Sequence, residues 1–411
     1  MQGAYVGRLS RHSLIQRDLA MPANLRDPKS GQTYYQAMTQ LATFTDLQGG
    51  ATVPSTGVAD VSRVPGIPFF ENLWAPAAGN GFSPTQVIAK EYLERSIAGD
   101  FTNVLSDMDK NCGPTSTFNA AGKLTRVGCS ILGSYSMWSP QYSALSAWSS
   151  LGSGAYHAMQ WTVRKEFSEG LLFDLNYTLS KSIDIGSRAE SSATFSTDFM
   201  INSWDPSQLR GVSRYDVRQN VNAYMVWQLP IGRNRKFGGN MNRVLDILVG
   251  GWQISGTYRQ TSGLPFSVSD GSRWSTNWQL SSFATPNGKP IAQTVSAHNA
   301  QGLNGVGGPN LWTDPGAAFG SFQETMAGQT GSRNTLRGDG YFNIDTGLYK
   351  NFNITESKKL QFRWESYNVS NTVRLDPLSA NLSITSQGNF GKLSSQLGSA
   401  RQMQFALRLQ F

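Results

Sequence analysis

Apolar and polar residues alternate along much of the chain in stretches of about ten, the period of a β-strand with unlike faces. In 171–180 the positions Leu171, Phe173, Leu175, Tyr177 and Leu179 are apolar, while Asp174, Asn176, Thr178 and Ser180 are polar. The last residues repeat the pattern, with Met403, Phe405, Leu407, Leu409 and Phe411 set against Gln402, Gln404, Arg408 and Gln410. Looser versions run through 155–167, 216–229, 250–262, 341–353 and 358–370, and 2–9 reads as the remnant of an eighth. Sandwich strands usually have five or six residues, whereas strands that cross a membrane need roughly 9–11 at a tilt. The pattern therefore predicts an all-β fold: a transmembrane antiparallel β-barrel, or about eight long strands of a larger one. The competing reading is a soluble β-sandwich.

Charge inside the strands follows the same parity. Arg164, Asp174, Arg218, Arg259, Asp345, Arg363, Glu365 and Arg408 all fall on the polar positions of their strands. An Arg facing lipid at mid-membrane costs roughly 2–4 kcal/mol and one facing a wet lumen little, so these eight are the candidate lumen-lining residues. Lys165 and Lys350 break the rule near strand ends, where a long side chain can snorkel.

The connections 11–154, 181–215, 263–340 and 371–400 are long, 168–170 and 354–357 are short, and 231–249 is intermediate. Short periplasmic turns alternating with long extracellular loops are the barrel signature. Phe167, Phe173, Trp227, Trp252, Phe352, Phe362 and Phe411 cluster near the predicted periplasmic ends as an interfacial girdle. Phe411 resembles the terminal aromatic read by the barrel-assembly machinery. Within 11–154, residues 86–98 have helical spacing and predict a short surface helix, with Val87, Leu93 and Ile97 on one side. Cys112 and Cys129, 17 residues apart in the same loop, suit a disulfide, with two reduced thiols as the alternative.

Composition narrows the field further. Only 15% of the 411 residues are charged, against about 25% in ordinary soluble domains. No stretch reaches the roughly 18–20 apolar residues of a spanning helix. The +8 net charge is a poor guide to partners. Basic and acidic residues balance ten to ten in 11–154, four to four in 181–215 and four to four in 263–340. The excess includes Arg233, Arg235, Lys236 and Arg243 in one turn, which argues against a nucleic-acid interface. Enzyme chemistry finds no footing. His12, His157 and His298 lack metal or base spacing, and 304–308 (NGVGG) lacks a phosphate-binding Lys. The carboxylate pairs Asp107/Asp109 and Glu91/Glu94 read as solvated loop charge. No catalytic, metal or cofactor residue is expected.

Several ordered segments resemble the Oar-like TonB-dependent outer-membrane receptors. They are 154–160 (GAYHAMQ), 167–171 (FSEGL), 176–184 (NYTLSKSID), 215–218 (YDVR), 229–232 (LPIG), 250–256 (GGWQISG) and 262–266 (SGLPF). The series continues with 337–345 (RGDGYFNID), 350–352 (KNF), 361–363 (QFR), 367–368 (YN) and 404–411 (QFALRLQF). That family, often carrying a carboxypeptidase regulatory-like domain, has barrels of about 22 strands with a plug and a TonB box. The resemblance implies the C-terminal part of such a barrel. With no signal peptide at Met1, an N-terminally truncated product is expected. The implied role is TonB-energised uptake of a bulky solute, a siderophore or an oligosaccharide. Implied partners are outer-membrane lipid, the barrel-assembly machinery, a plug and TonB. One alternative is an outer-membrane adhesin or binding protein, whose Trp274, Trp278 and Trp312 stack on sugars. The other is a soluble β-sandwich carbohydrate-binding protein.

Overall fold

A computed structural model describes residues 1–95, 100–187, 199–271, 274–276, 280–288, 296–300, 308–355 and 357–411. Eight long strands form one antiparallel sheet: β1 Gln2–Asp18, β2 Ser146–Ser168, β3 Leu171–Asp184, β4 Gln219–Gln228, β5 Trp252–Thr261, β6 Tyr341–Asn353, β7 Lys359–Tyr367 and β8 Gln402–Gln410. Each pairs with its neighbours in sequence, and Gly211–Val212 adds a short ninth strand against the end of β3. Among the described residues β1 and β8 each have one partner, so they are the sheet's two edges. One sheet of long strands is not a sandwich, which needs two packed face to face.

The elements follow the alternation closely where it is unbroken. Between β2 and β3 the chain turns in two residues, Glu169 and Gly170, at φ 52° and 80°. Both are left-handed, as a tight hairpin on twisted strands requires. β1 is longer than the 2–9 expected. Its register shifts between Arg11 and Ser13 and again between Ser13 and Ile15, with His12 at φ 57°. Bulges reverse side-chain parity, so the period-two pattern is lost although the strand continues.

The connection between β1 and β2 is a folded helical unit. Its helices are α1 Tyr34–Ala42, α2 Pro68–Leu73, α3 Pro84–Lys90 and α4 Phe101–Leu105. Thr33 with Gln36 and Ser83 with Gln86 close capping boxes at the starts of α1 and α3. Tyr34, Met38, Leu41, Phe69, Phe70, Trp74, Val87 and Ile88 fill a common core around the stacked Phe69 and Trp74 rings, 5.6 Å apart. Burying each such side chain contributes about 1.5–3 kcal/mol. The helix expected on the surface at 86–98 is therefore an interior one; Ile97 lies outside the described residues. The loop carboxylates are corrected too. Glu91 and Asp109 are fully buried, and Glu94 accepts from Lys90 Nζ at 2.6 Å and from the Ala59 and Leu124 amides at 2.8 Å.

Cys112 and Cys129 are joined as a disulfide in this unit. A second apolar cluster, built from 262–340 and 368–401, centres on Trp312, whose ring lies 5.1 Å from that of Phe390. Trp312 is fully buried and offers no face to a sugar.

Candidate functional site

Residues directly opposite in paired strands share a face. Register places Arg164 opposite Asp174, Asp174 opposite Tyr224, Tyr224 opposite Thr257 and Thr257 opposite Asp345. Arg259 pairs Asn222 and Asn343 on that same face. Tyr349 faces Arg363, Gly347 faces Glu365, and Gln361 faces Arg408. Seven of the eight charged positions picked from parity thus lie on one face. The eighth, Arg218, precedes β4 in phase with it, its carbonyl accepting from the Ser180 amide at 2.9 Å.

Two networks organise this polar face. Arg164 Nε donates to Asp174 at 2.7 Å, and Asn176 bridges that carboxylate to Thr162. Further round, Glu365 accepts from Arg363 at 2.7 Å, from the Tyr349 hydroxyl at 2.9 Å and from Gln404, linking β6, β7 and β8. The Arg363 guanidinium lies 5.2 Å from the Tyr349 ring centre. Asp345 accepts from Asn343 Nδ2 and the Asn368 amide, both at 2.8 Å. Between these groups is a recess of about 500 Å3 lined by Tyr224, Thr257, Asp345, Tyr349, Glu365 and Tyr367. Ion pairs and a hydrogen-bonding tyrosine make this wall polar. Among the described residues no cluster of His, Cys, Asp or Glu is arranged to hold a metal.

The opposite face is apolar and exposed. Phe405 and Leu407 are each 70% exposed, and Tyr5, Leu9, Met403 and Leu409 are exposed with them. The Trp252 and Phe362 rings meet edge to face at 6.0 Å near the short-turn end. Phe411 follows β8 and is almost wholly exposed. Lys350 does not snorkel: it is buried, 5.0 Å from the Trp252 ring centre, and its Nζ donates to Gly250 O at 2.5 Å. Gly250 ends α5, Arg243–Val249, so this lysine serves a helix C-terminus, a favourable place for a cation.

Two partly buried ion pairs at strand ends also escape a reading by strand parity. Arg333 pairs with Asp184 at the end of β3, and Arg337 pairs with Asp216 just before β4. Arg337 also donates to the backbone oxygens of Asp216 at 3.0 Å and Gly263 at 3.1 Å. They fasten the 262–340 connection to the sheet. Asp216 and Arg337 sit in two of the short motifs quoted above, a signal that gives their presence but not their pairing.

An antiparallel meander of membrane-spanning length, apolar outside and ionic inside, defines an outer-membrane β-barrel. A family model described as "Outer membrane beta barrel domain" matches residues 92–404, and the chain belongs to that family. No curated protein and no solved structure matches it.

Proposed function

We propose that this chain forms the wall and external head of an Oar-like, TonB-energised receptor that takes up a bulky solute across the outer membrane, and that it performs no covalent chemistry. The observation carrying this reading is the single polar face, where Glu365, Arg363, Tyr349 and Asp345 surround a recess large enough to engage a plug or passing solute. In this reading the open edges β1 and β8 meet further strands, because unpaired backbone groups are not tolerated in lipid. The long-loop end faces outward, Phe411 serves barrel assembly, and a plug and TonB supply the coupling.

A photo-crosslinking residue at Tyr349, expressed in cells, tests it. The expected product is a crosslink to a plug domain that weakens when a protonophore collapses the proton-motive force. Lipid adducts alone, or a protonophore-insensitive product, would overturn the transport reading. Insensitivity would favour the adhesin reading, which draws support from the large folded unit between β1 and β2.

A further inference from the structure

Register sets Trp252, Lys350, Phe362 and Leu407 in one row across β5 to β8, on the apolar face. Two of these side chains hold α5. Trp252 Nε1 donates to Leu248 O at 3.0 Å, and Lys350 Nζ to Gly250 O at 2.5 Å. The C-terminal end of the helix is thereby fastened to the lipid side of the sheet, at its short-turn end. The arrangement also accounts for a lysine on the apolar parity, since Lys350 is buried against the helix end it binds.

α5 itself buries nothing. Five of its seven residues are apolar, Val244, Leu245, Ile247, Leu248 and Val249, and all five are exposed. A helix apolar around most of its girth is stable where another apolar phase covers it. Its one carboxylate is engaged within the turn, where Asp246 accepts from the Arg233 amide at 2.6 Å. The preceding turn is folded too. The Phe237 amide donates to Pro230 O at 2.9 Å and the Gly232 amide to Phe237 O at 3.0 Å, leaving the Phe237 ring exposed. Beside this apolar surface stand Arg233, Lys236 and Arg243, exposed and with no side-chain hydrogen bond or ion pair among the described residues. Arg235 lines a recess with Gln253 and Arg363 on the polar side and does not belong with them.

We propose that α5 and the turn before it form a phospholipid-docking surface that selects anionic headgroups in the leaflet at the short-turn end. The apolar side chains enter the acyl boundary, continuous with the row from Trp252 to Leu407, while Arg233, Lys236 and Arg243 reach the phosphates. Every phospholipid phosphate offers acceptors, but three unbalanced cations favour a headgroup that keeps a net negative charge. Each Lys or Arg near such a surface strengthens attraction roughly fivefold. The inference rests on the membrane barrel with its long loops outward, not on transport.

The full chain folded into phosphatidylcholine vesicles, with a neutral fluorophore on Ile247→Cys, tests it; Cys112 and Cys129 are joined and stay unlabelled. About a tenth of the lipid is replaced by phosphatidylglycerol or by phosphatidylcholine, brominated at the same acyl position. Brominated phosphatidylglycerol is expected to quench at least threefold more than its phosphatidylcholine counterpart. The two should become equal when Arg233→Gln, Lys236→Gln and Arg243→Gln are combined, and should approach each other at high salt. Equal quenching in the parent chain, or a preference that survives the triple substitution, would overturn the selection. Quenching by neither lipid would put water or protein on α5 and overturn the docking altogether. The crosslink at Tyr349 does not involve α5, so its failure would sink the transport reading and leave this result standing.

Discussion

Glu91 shows what a parity reading of single residues misses. It stands among acidic and basic neighbours in sequence, yet it is fully buried with Arg95 Nε 3.3 Å away. Burial lifts its pKa from 4.5 to about 8, and Asp100 is lifted by burial to about 6. Between these ordinary and raised values the folded chain binds protons that the unfolded chain has released. The stabilising contribution is complete below about pH 4 and is lost as pH rises through 6 for Asp100 and 8 for Glu91. Amides of Val87–Tyr92 should therefore exchange faster at pH 8 than at pH 5 after correction for intrinsic rates, and Glu91→Gln should remove most of the difference. An unchanged profile in that variant would assign the effect elsewhere. Arg337→Ala leaves the buried Asp216 carboxylate without its partly exposed cation, a loss smaller than the roughly 3–5 kcal/mol of a fully buried pair. Limited proteolysis within 262–340 should accelerate while the paired strands stay protected. Residues on regular strands were legible because period two assigns them a face. Glu91, Asp216 and Arg337 were not, because long-range folding of the connections decides their burial.

At the scale of elements, legibility follows regularity. β3 and β8 alternate without interruption; β8 and the start of β3 could be bounded almost to the residue, while β3 runs on past the expected 180 to Asp184. β1 could not, because its two bulges invert the parity near His12. The helices α1 and α3 carry readable capping boxes, but α1 to α4 span only five to nine residues, too short for a clear helical period. Breaking the Cys112–Cys129 link with Cys112→Ser should destabilise the helical unit by about 3 kcal/mol, the entropy of its 17-residue loop. Thermal unfolding of the unit should shift down while strand dichroism persists. α5 supports a different prediction. Val244 is 72% exposed, Leu248 is exposed beside it, and the Leu248 carbonyl accepts from Trp252 Nε1 at 3.0 Å on the apolar face. With Arg233, Arg235, Lys236 and Arg243 close in sequence, this short helix fits the headgroup layer. A fluorophore at Val244 should be quenched by lipids brominated near the headgroup, and quenching only by soluble iodide would place it in water.

For the whole molecule, the short turns after β2 and β6 dictate two of the seven strand pairings, since consecutive strands joined by tight turns pair antiparallel, and the other five bridge connections whose length leaves the pairing open in the sequence. The folded head was largely hidden, because Gly-, Ser- and Pro-rich connections resemble loops until their scattered aromatics are brought together. What unites strands and head is a sheet with one face for lipid and one for water, and the adjacent residues Phe362 and Arg363 divide those roles. Folding into phosphatidylcholine vesicles, followed by the heat-modifiable mobility shift typical of membrane barrels, measures this directly. Arg363→Ala should insert like the parent chain. Phe362→Arg should lose roughly 2–4 kcal/mol of folding free energy if its side chain lies near mid-membrane, and less towards the interface, with a lower inserted fraction in either case. Equal insertion of the two variants would contradict the assignment of the faces.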